Sequence, residues 1–120
     1  MKQTAAIRCV LDIQVHDIPT FKEVAAACCE VSSQEPGTLY YDWFLDEESG
    51  RARLIEGYES YEAIVAHATG PVFTDVGVRL LEACTFLHMD AYGDTAKLAR
   101  GPQFWPSTYW GLPVARLTDD

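Results

Sequence analysis

The sequence predicts a single α+β domain whose elements run strand, helix, strand, strand, helix, strand, and three observations carry that prediction. Residues 7–15 alternate apolar and polar side chains with the period of a half-buried strand. Residues 39–58 hold two further alternating stretches around the acidic turn Asp46-Glu47-Glu48-Ser49-Gly50, which reads as a hairpin. Helical spacing governs the segments on either side of that hairpin.

The first strand presents Ile7, Cys9, Leu11, Ile13 and Val15 on one face, with Arg8, Asp12 and Gln14 on the other. Asp17-Ile18-Pro19-Thr20 opens the first helix; Thr20 to Glu23 fits a capping box, and Pro19 suits a first turn. Phe21, Val24, Ala25, Cys28 and Val31 then form its inward stripe. Glu35-Pro36-Gly37 ends it, because proline cannot extend the ladder and glycine tolerates the turn at a helix end. Strand two carries Leu39, Tyr41, Trp43 and Leu45 on one face, and strand three carries Ala52, Leu54, Glu56 and Tyr58. Ser60 caps the second helix, which brings His67 into its last turn before the Gly70-Pro71 break and resumes through Phe73, Val76, Leu80 and Ala83. Residues 84–92, CTFLHMDAY, close the pattern as a fourth strand.

This order is the split βαβ, ferredoxin-like arrangement: a four-stranded antiparallel sheet with both helices on one face. Tyr40 and Phe44 alternate with Tyr41 and Trp43, so the opposite face of the sheet also wants cover. A homodimer with its sheets packed face to face is the expected solution. Residues 1–92 form the domain, and residues 93–120 form a C-terminal extension. That extension holds Phe104, Trp105, Tyr109 and Trp110 between prolines, a density that calls for packing on the domain or across a dimer seam. Trp105 or Trp110 reaching over a ligand cavity is the functional alternative.

At 120 residues and 13.4 kDa the chain supports one core. Nine Lys and Arg against 18 Asp and Glu give a net charge of −9, which repels nucleic-acid phosphates and anionic membrane surfaces alike. No run is long and apolar enough for a membrane span, and Met1-Lys2-Gln3-Thr4 does not open a signal peptide, so a cytoplasmic protein is expected. The cysteines at 9, 28, 29 and 84 lack metal or redox spacing and read as small buried residues, with a reactive thiol at Cys29 as the lesser option. Histidines 16, 67 and 88 show no ligand spacing, and no phosphate loop or nucleotide fingerprint occurs.

The Glu-Pro-Gly exit at 35–37, Leu39-x-Tyr41, the acidic turn, Glu56-x-Tyr58-Glu59-Ser60 and Ala63-x-x-x-His67 resemble the antibiotic biosynthesis monooxygenase-like family. The similarity covers residues 5–92 and is strongest at 35–73. It implies a ferredoxin-like domain that pairs into a dimeric α+β barrel. It also implies cofactor-independent oxidation of a small hydroxylated aromatic of the quinol or phenol type, with no flavin or nicotinamide held by this chain. Three departures stand out: Tyr58 where the family commonly has Trp, Val72 where a second His often follows, and no asparagine anywhere. The Asn, Trp and His set of the haem-degrading members is thus incomplete, which ranks haem degradation below the other readings.

His67 is the candidate base, since an imidazole that titrates near neutrality can take a proton from a hydroxyaromatic. Its structural alternative is a half-buried histidine that bonds a strand group or caps a helix end. Tyr58 is the second catalytic candidate, a polar anchor, and Trp43, Tyr41, Glu56 and Trp105 are the substrate-binding candidates. Tyr58 also reads as core with a wet hydroxyl, and Glu56 as half of an ion pair with Arg8, Arg53 or Arg79. A non-catalytic dimeric barrel that binds a small apolar ligand, or serves assembly, is the alternative function.

Overall fold

A computed structural model describes residues 5–117; the Met1–Thr4 stretch weighed above as a leader lies outside them. Strand β1 (Ile7–Val15) leads into helix α1 (Ile18–Ser32), followed by the hairpin β2 (Thr38–Asp46) and β3 (Arg51–Tyr58). Helix α2 (Tyr61–Ala68), the single turn α3 (Pro71–Thr74), a 3₁₀ turn over Val76–Arg79 and α4 (Leu80–Ala83) precede β4 (Cys84–Gly93). Helix α5 (Ala96–Arg100) and strand β5 (Ser107–Gly111) complete the chain.

The sheet is five-stranded in the order β2-β3-β1-β4-β5. Its first four strands pair antiparallel as expected, with β1 central between β3 and β4. Strand β5 is the correction: it adds to β4 in parallel, so the sheet is mixed and the extension belongs to it. Pro106 and Pro113 bracket a proline-free stretch just long enough for a short edge strand, and α5 lies in the dozen or so residues that a parallel crossover needs.

The periodic apolar residues meet on one face. Ile7, Leu11 and Ile13 of β1 and Leu54 of β3 pack against Phe21, Val24 and Cys28 of α1, and all seven are almost wholly inaccessible. Asp17 rather than Thr20 caps α1: its carboxylate accepts from the Thr20 amide at 3.2 Å and from the Thr20 hydroxyl at 2.8 Å. Asp17 holds the extended conformation of an N-cap, which the capping-box reading had assigned three residues too late. The hairpin turns at Gly50, whose φ of +75° suits a residue without a side chain.

The resumed second helix is a second correction. Beyond Gly70-Pro71 the chain forms three separate short turns, because Asp75, with φ −137° and ψ −75°, breaks the ladder between α3 and the 3₁₀ segment. A long helix there would fill the space over the sheet. Broken turns leave it open. A bulge in β4 also matters: Ile13 pairs with Phe86 and Asp12 with His88, so Leu87 is the extra residue. The bulge keeps both Phe86 and Met89 beside inward-facing partners, Ile13 and Leu11, and turns His88 to the outer face.

Candidate active site

Glu35 and His67 come from the two segment ends that punctuate α1 and α2. Glu35 follows the last turn of α1, and His67 occupies the last turn of α2, which Ser60 starts by accepting from the Ala63 amide at 3.1 Å. Close approach joins them. A side chain at Gly37 would collide with Ala63 of α2, so only glycine lets the α1–β2 connection lie flat on that helix. His67 Nδ1 then meets Glu35 Oε1 at 2.8 Å, and Thr38 Oγ1 donates to the same oxygen at 2.8 Å. The imidazole is buried at 4% exposure, and Glu35 Oε2 is buried without a hydrogen-bond partner. Among the described residues Nε2 of His67 makes no hydrogen bond, and the ring faces a cavity.

That cavity, about 290 Å³, lies between the sheet and the broken helical turns. Tyr41, Trp43, Glu56, His67, Phe86 and Trp105 line it. The apolar side chains of Phe73, Val78, Leu81 and Phe104 reach both its wall and solvent, so it opens on that side. The lining rings pack on one another: Tyr41 lies edge to face with Trp43 at 5.6 Å and tilted against His67 at 5.1 Å, and Phe21 meets Trp43 edge to face at 5.5 Å. Trp105 stacks on Phe86 at 4.8 Å.

Glu56 sits at the end of a second polar pair. The ion-pair expectation fails for Arg53 and Arg79, which go to Asp12 and Glu23 across the surface. Those arginines lie on strand faces and turns that point away from the cavity, whereas Glu56 shares the inward face of β3 with Leu54. Its Oε1 accepts from the Tyr58 hydroxyl at 2.7 Å. Burial pushes the Glu56 carboxyl above its ordinary value; the field of His67 and the Tyr58 hydrogen bond oppose this, and Glu35 adds to it. Burial first, then the charge of Glu56, likewise raises both Tyr58 and Tyr41, so their hydroxyls stay protonated.

The candidates read from sequence therefore separate. His67, Tyr41, Trp43, Glu56 and Trp105 meet around one cavity. Tyr58 stands behind Glu56 with its hydroxyl committed rather than wet, and it lines a smaller adjoining chamber. Trp110 lies on the outer face, stacked with Tyr92 at 6.3 Å and donating to Asp90 at 2.9 Å. Cys29 donates to the Tyr41 carbonyl, and burial raises its thiol; burial pushes the thiols of Cys28 and Cys84 up to about 11, and a thiolate is disfavoured at all three. Glu35 is the residue that sequence reasoning missed; it was read as punctuation. Its spacing from His67 carries no local signal, because the two lie 32 positions apart with a hairpin between them.

Comparison with known proteins bears on this geometry. The description of antibiotic biosynthesis monooxygenase matches residues 13–77, more than half of the chain. Among solved structures, MupZ from Pseudomonas fluorescens superposes with a TM-score of 0.73 at 14% identity, over 93% of each chain, which takes in most of residues 93–120. SnoaB, a cofactor-independent oxygenase from Streptomyces nogalater, gives 0.65 at 16% identity over 73% of this chain and 91% of its own. A conserved protein from Methanosarcina mazei Go1 gives 0.65 at 18% identity over 75% and 93%. No curated protein matches the chain. At these identities the superpositions speak to the fold alone, whereas the match over residues 13–77 speaks to family: the chain belongs to the antibiotic biosynthesis monooxygenase family.

Proposed function

We propose that this protein is a cofactor-independent monooxygenase that oxidises a small hydroxylated aromatic with dioxygen, and that it works as a homodimer. The observation that carries the reading is the His67–Glu35 pair, in which the imidazole bonds a carboxylate through Nδ1 and lines an aromatic-walled cavity. SnoaB, a cofactor-independent oxygenase of the same fold, supports the reaction class.

A cavity of about 150 Å³ accommodates benzene, so 290 Å³ suits roughly two fused rings. Tyr41, Trp43, Phe86 and Trp105 supply faces and edges for a flat substrate. His67 Nε2 takes the phenolic proton, and the Glu35 carboxylate stabilises the imidazolium through Nδ1–H. The electron-rich phenolate then passes an electron to dioxygen, and the radical pair joins at a ring carbon as a peroxide, which takes the phenolic proton back from His67 to become the hydroperoxide. Its O–O bond breaks as the C–H proton leaves, giving the quinone carbonyl. Glu56, held toward its protonated form by burial, gives its proton to the departing hydroxide and recovers one from the ring carbon through His67. The phenolic and ring hydrogens leave as one water, and the substrate supplies all four electrons.

The homodimer is supported by the outer face of the sheet, where Phe44 and Trp110 are 54% and 60% exposed with Val10 and Ile55 between them. Light scattering should give twice 13.4 kDa; a mass near 13.4 kDa at micromolar protein defeats the dimer. Oxygen uptake with a panel of quinols and naphthols tests the chemistry. Uptake in the wild type that His67→Ala abolishes is the expected result, and uptake unchanged in His67→Ala removes His67 from the mechanism.

A further inference from the structure

A second chamber of about 70 Å³ adjoins the main cavity and shares Glu56, His67, Phe73, Phe104 and Trp105 with it. Its far wall is Cys9 of β1, Ile64 of α2, Met89 of β4 and Leu98 of α5. We propose that this chamber is the dioxygen site, from which the gas meets the ring held in the larger cavity; the inference rests on the oxygenase reading above.

Size, wall chemistry and position point the same way. The chamber has about twice the roughly 30 Å³ share of a water molecule, too little for an aromatic ring and enough for a diatomic gas. Apolar atoms supply most of its wall, and two of the hydroxyls that line it already donate within the protein. The Tyr58 hydroxyl donates to Glu56, and the Ser107 hydroxyl donates to the Trp105 carbonyl. A resident water needs two to four free partners, whereas dioxygen needs none. The rings of Phe73 and Phe104, 5.9 Å apart, and Phe104 and Trp105, also 5.9 Å apart, form the partition between the chambers. His67 and Glu56 belong to both walls, so a gas molecule on the far side lies next to the groups that prepare the substrate and protonate the leaving oxygen.

Xenon is an apolar probe of similar reach and binds dry apolar cavities. Pressurising crystals of the wild-type protein with xenon should give a site bounded by Cys9, Ile64 and Leu98; xenon absent from the chamber, or ordered water filling it, overturns the proposal. Cys9→Met and Leu98→Phe each fill the chamber from a different wall. Either should displace xenon and raise the KM for dioxygen at least severalfold, while fluorescence-monitored binding of a naphthol in the absence of oxygen stays unchanged. Displaced xenon with an unaltered KM for dioxygen also overturns it. A wild type that consumes no oxygen with any substrate defeats the parent reading, whereas uptake that persists without a xenon site defeats this inference alone.

Discussion

Replacing Glu56 with glutamine tests the electrostatics of the cavity by one titration. Burial holds the folded-state carboxyl above its ordinary 4.5, and neither the field of His67 nor the Tyr58 hydrogen bond cancels that effect. Between 4.5 and the raised value the folded chain keeps a proton that the unfolded chain has released. The native state therefore binds more protons in this window, and the stability derived from the group falls as pH rises through it. One proton limits the slope to about 1.4 kcal/mol per pH unit. Glu56→Gln has no proton to lose, and its amide oxygen still accepts from Tyr58, so packing and the buried hydrogen bond persist. Urea unfolding of both proteins from about pH 4 to about pH 8 reads the difference, in which contributions from surface carboxylates cancel. The variant should gain on the wild type with rising pH, from the acid side upward, and then run parallel to it. A stability difference that stays flat across that range refutes the claim that Glu56 is held toward its protonated form.

Three further outcomes follow from the same geometry. Glu35→Gln keeps the shape of the contact but removes the charge behind Nδ1, and should lower kcat by roughly 10²- to 10⁴-fold with little change in KM, measured by oxygen uptake; equal kcat would show that Glu35 only positions the loop. Trp105→Ala removes the stack on Phe86 and one wall of the cavity, so KM for a naphthol should rise more than kcat falls, as steady-state kinetics would read. Gly37→Ala drives a methyl group into Ala63, and chemical denaturation should show a loss of roughly 1–3 kcal/mol; a neutral change would mean that α2 yields easily.

The first three strands of the domain were legible because each alternates apolar and polar side chains, and β1 at Ile7–Val15 matches its pattern residue for residue. The hairpin was legible for the same reason, and Gly50 marked its turn. Three features were not. Strand β5 is five residues at an edge, too short for alternation to register, and its partner β4 lies across a helix. The bulge at Leu87 reverses which residues of β4 face inward, and nothing in CTFLHMDAY announces an extra residue. Helical periodicity continued through residues 71–83 although the backbone did not, because Gly70 and Asp75 break the ladder while Val72, Leu80 and Ala83 still find the core. In the site, chemistry picked out His67, and the rings at 41, 43 and 105 carried their own size as a signal. Glu35 needed the third dimension, since two element ends converge there that the sequence reports only as ends.

The residues that stop the helices are also the ones that build the site. Glu35 follows the last turn of α1 and supplies a carboxylate; Gly37 lets that carboxylate approach α2; His67 sits in the last turn of α2 and supplies the imidazole. Gly70-Pro71 then denies the chain a continuous helix, and the shallow turns that replace it leave the volume above Tyr41 and Trp43 unfilled. A regular split βαβ domain would cover that sheet face with a full-length helix and bury it dry. Here the breaks cost helical hydrogen bonds and expose Val78 and Leu81, an arrangement that core packing alone does not favour. The same breaks open a ligand-sized cavity against the buried carboxyl group of Glu56 and a histidine that Glu35 backs. Local rules that fail together around one set of titratable groups support the proposal of a site there.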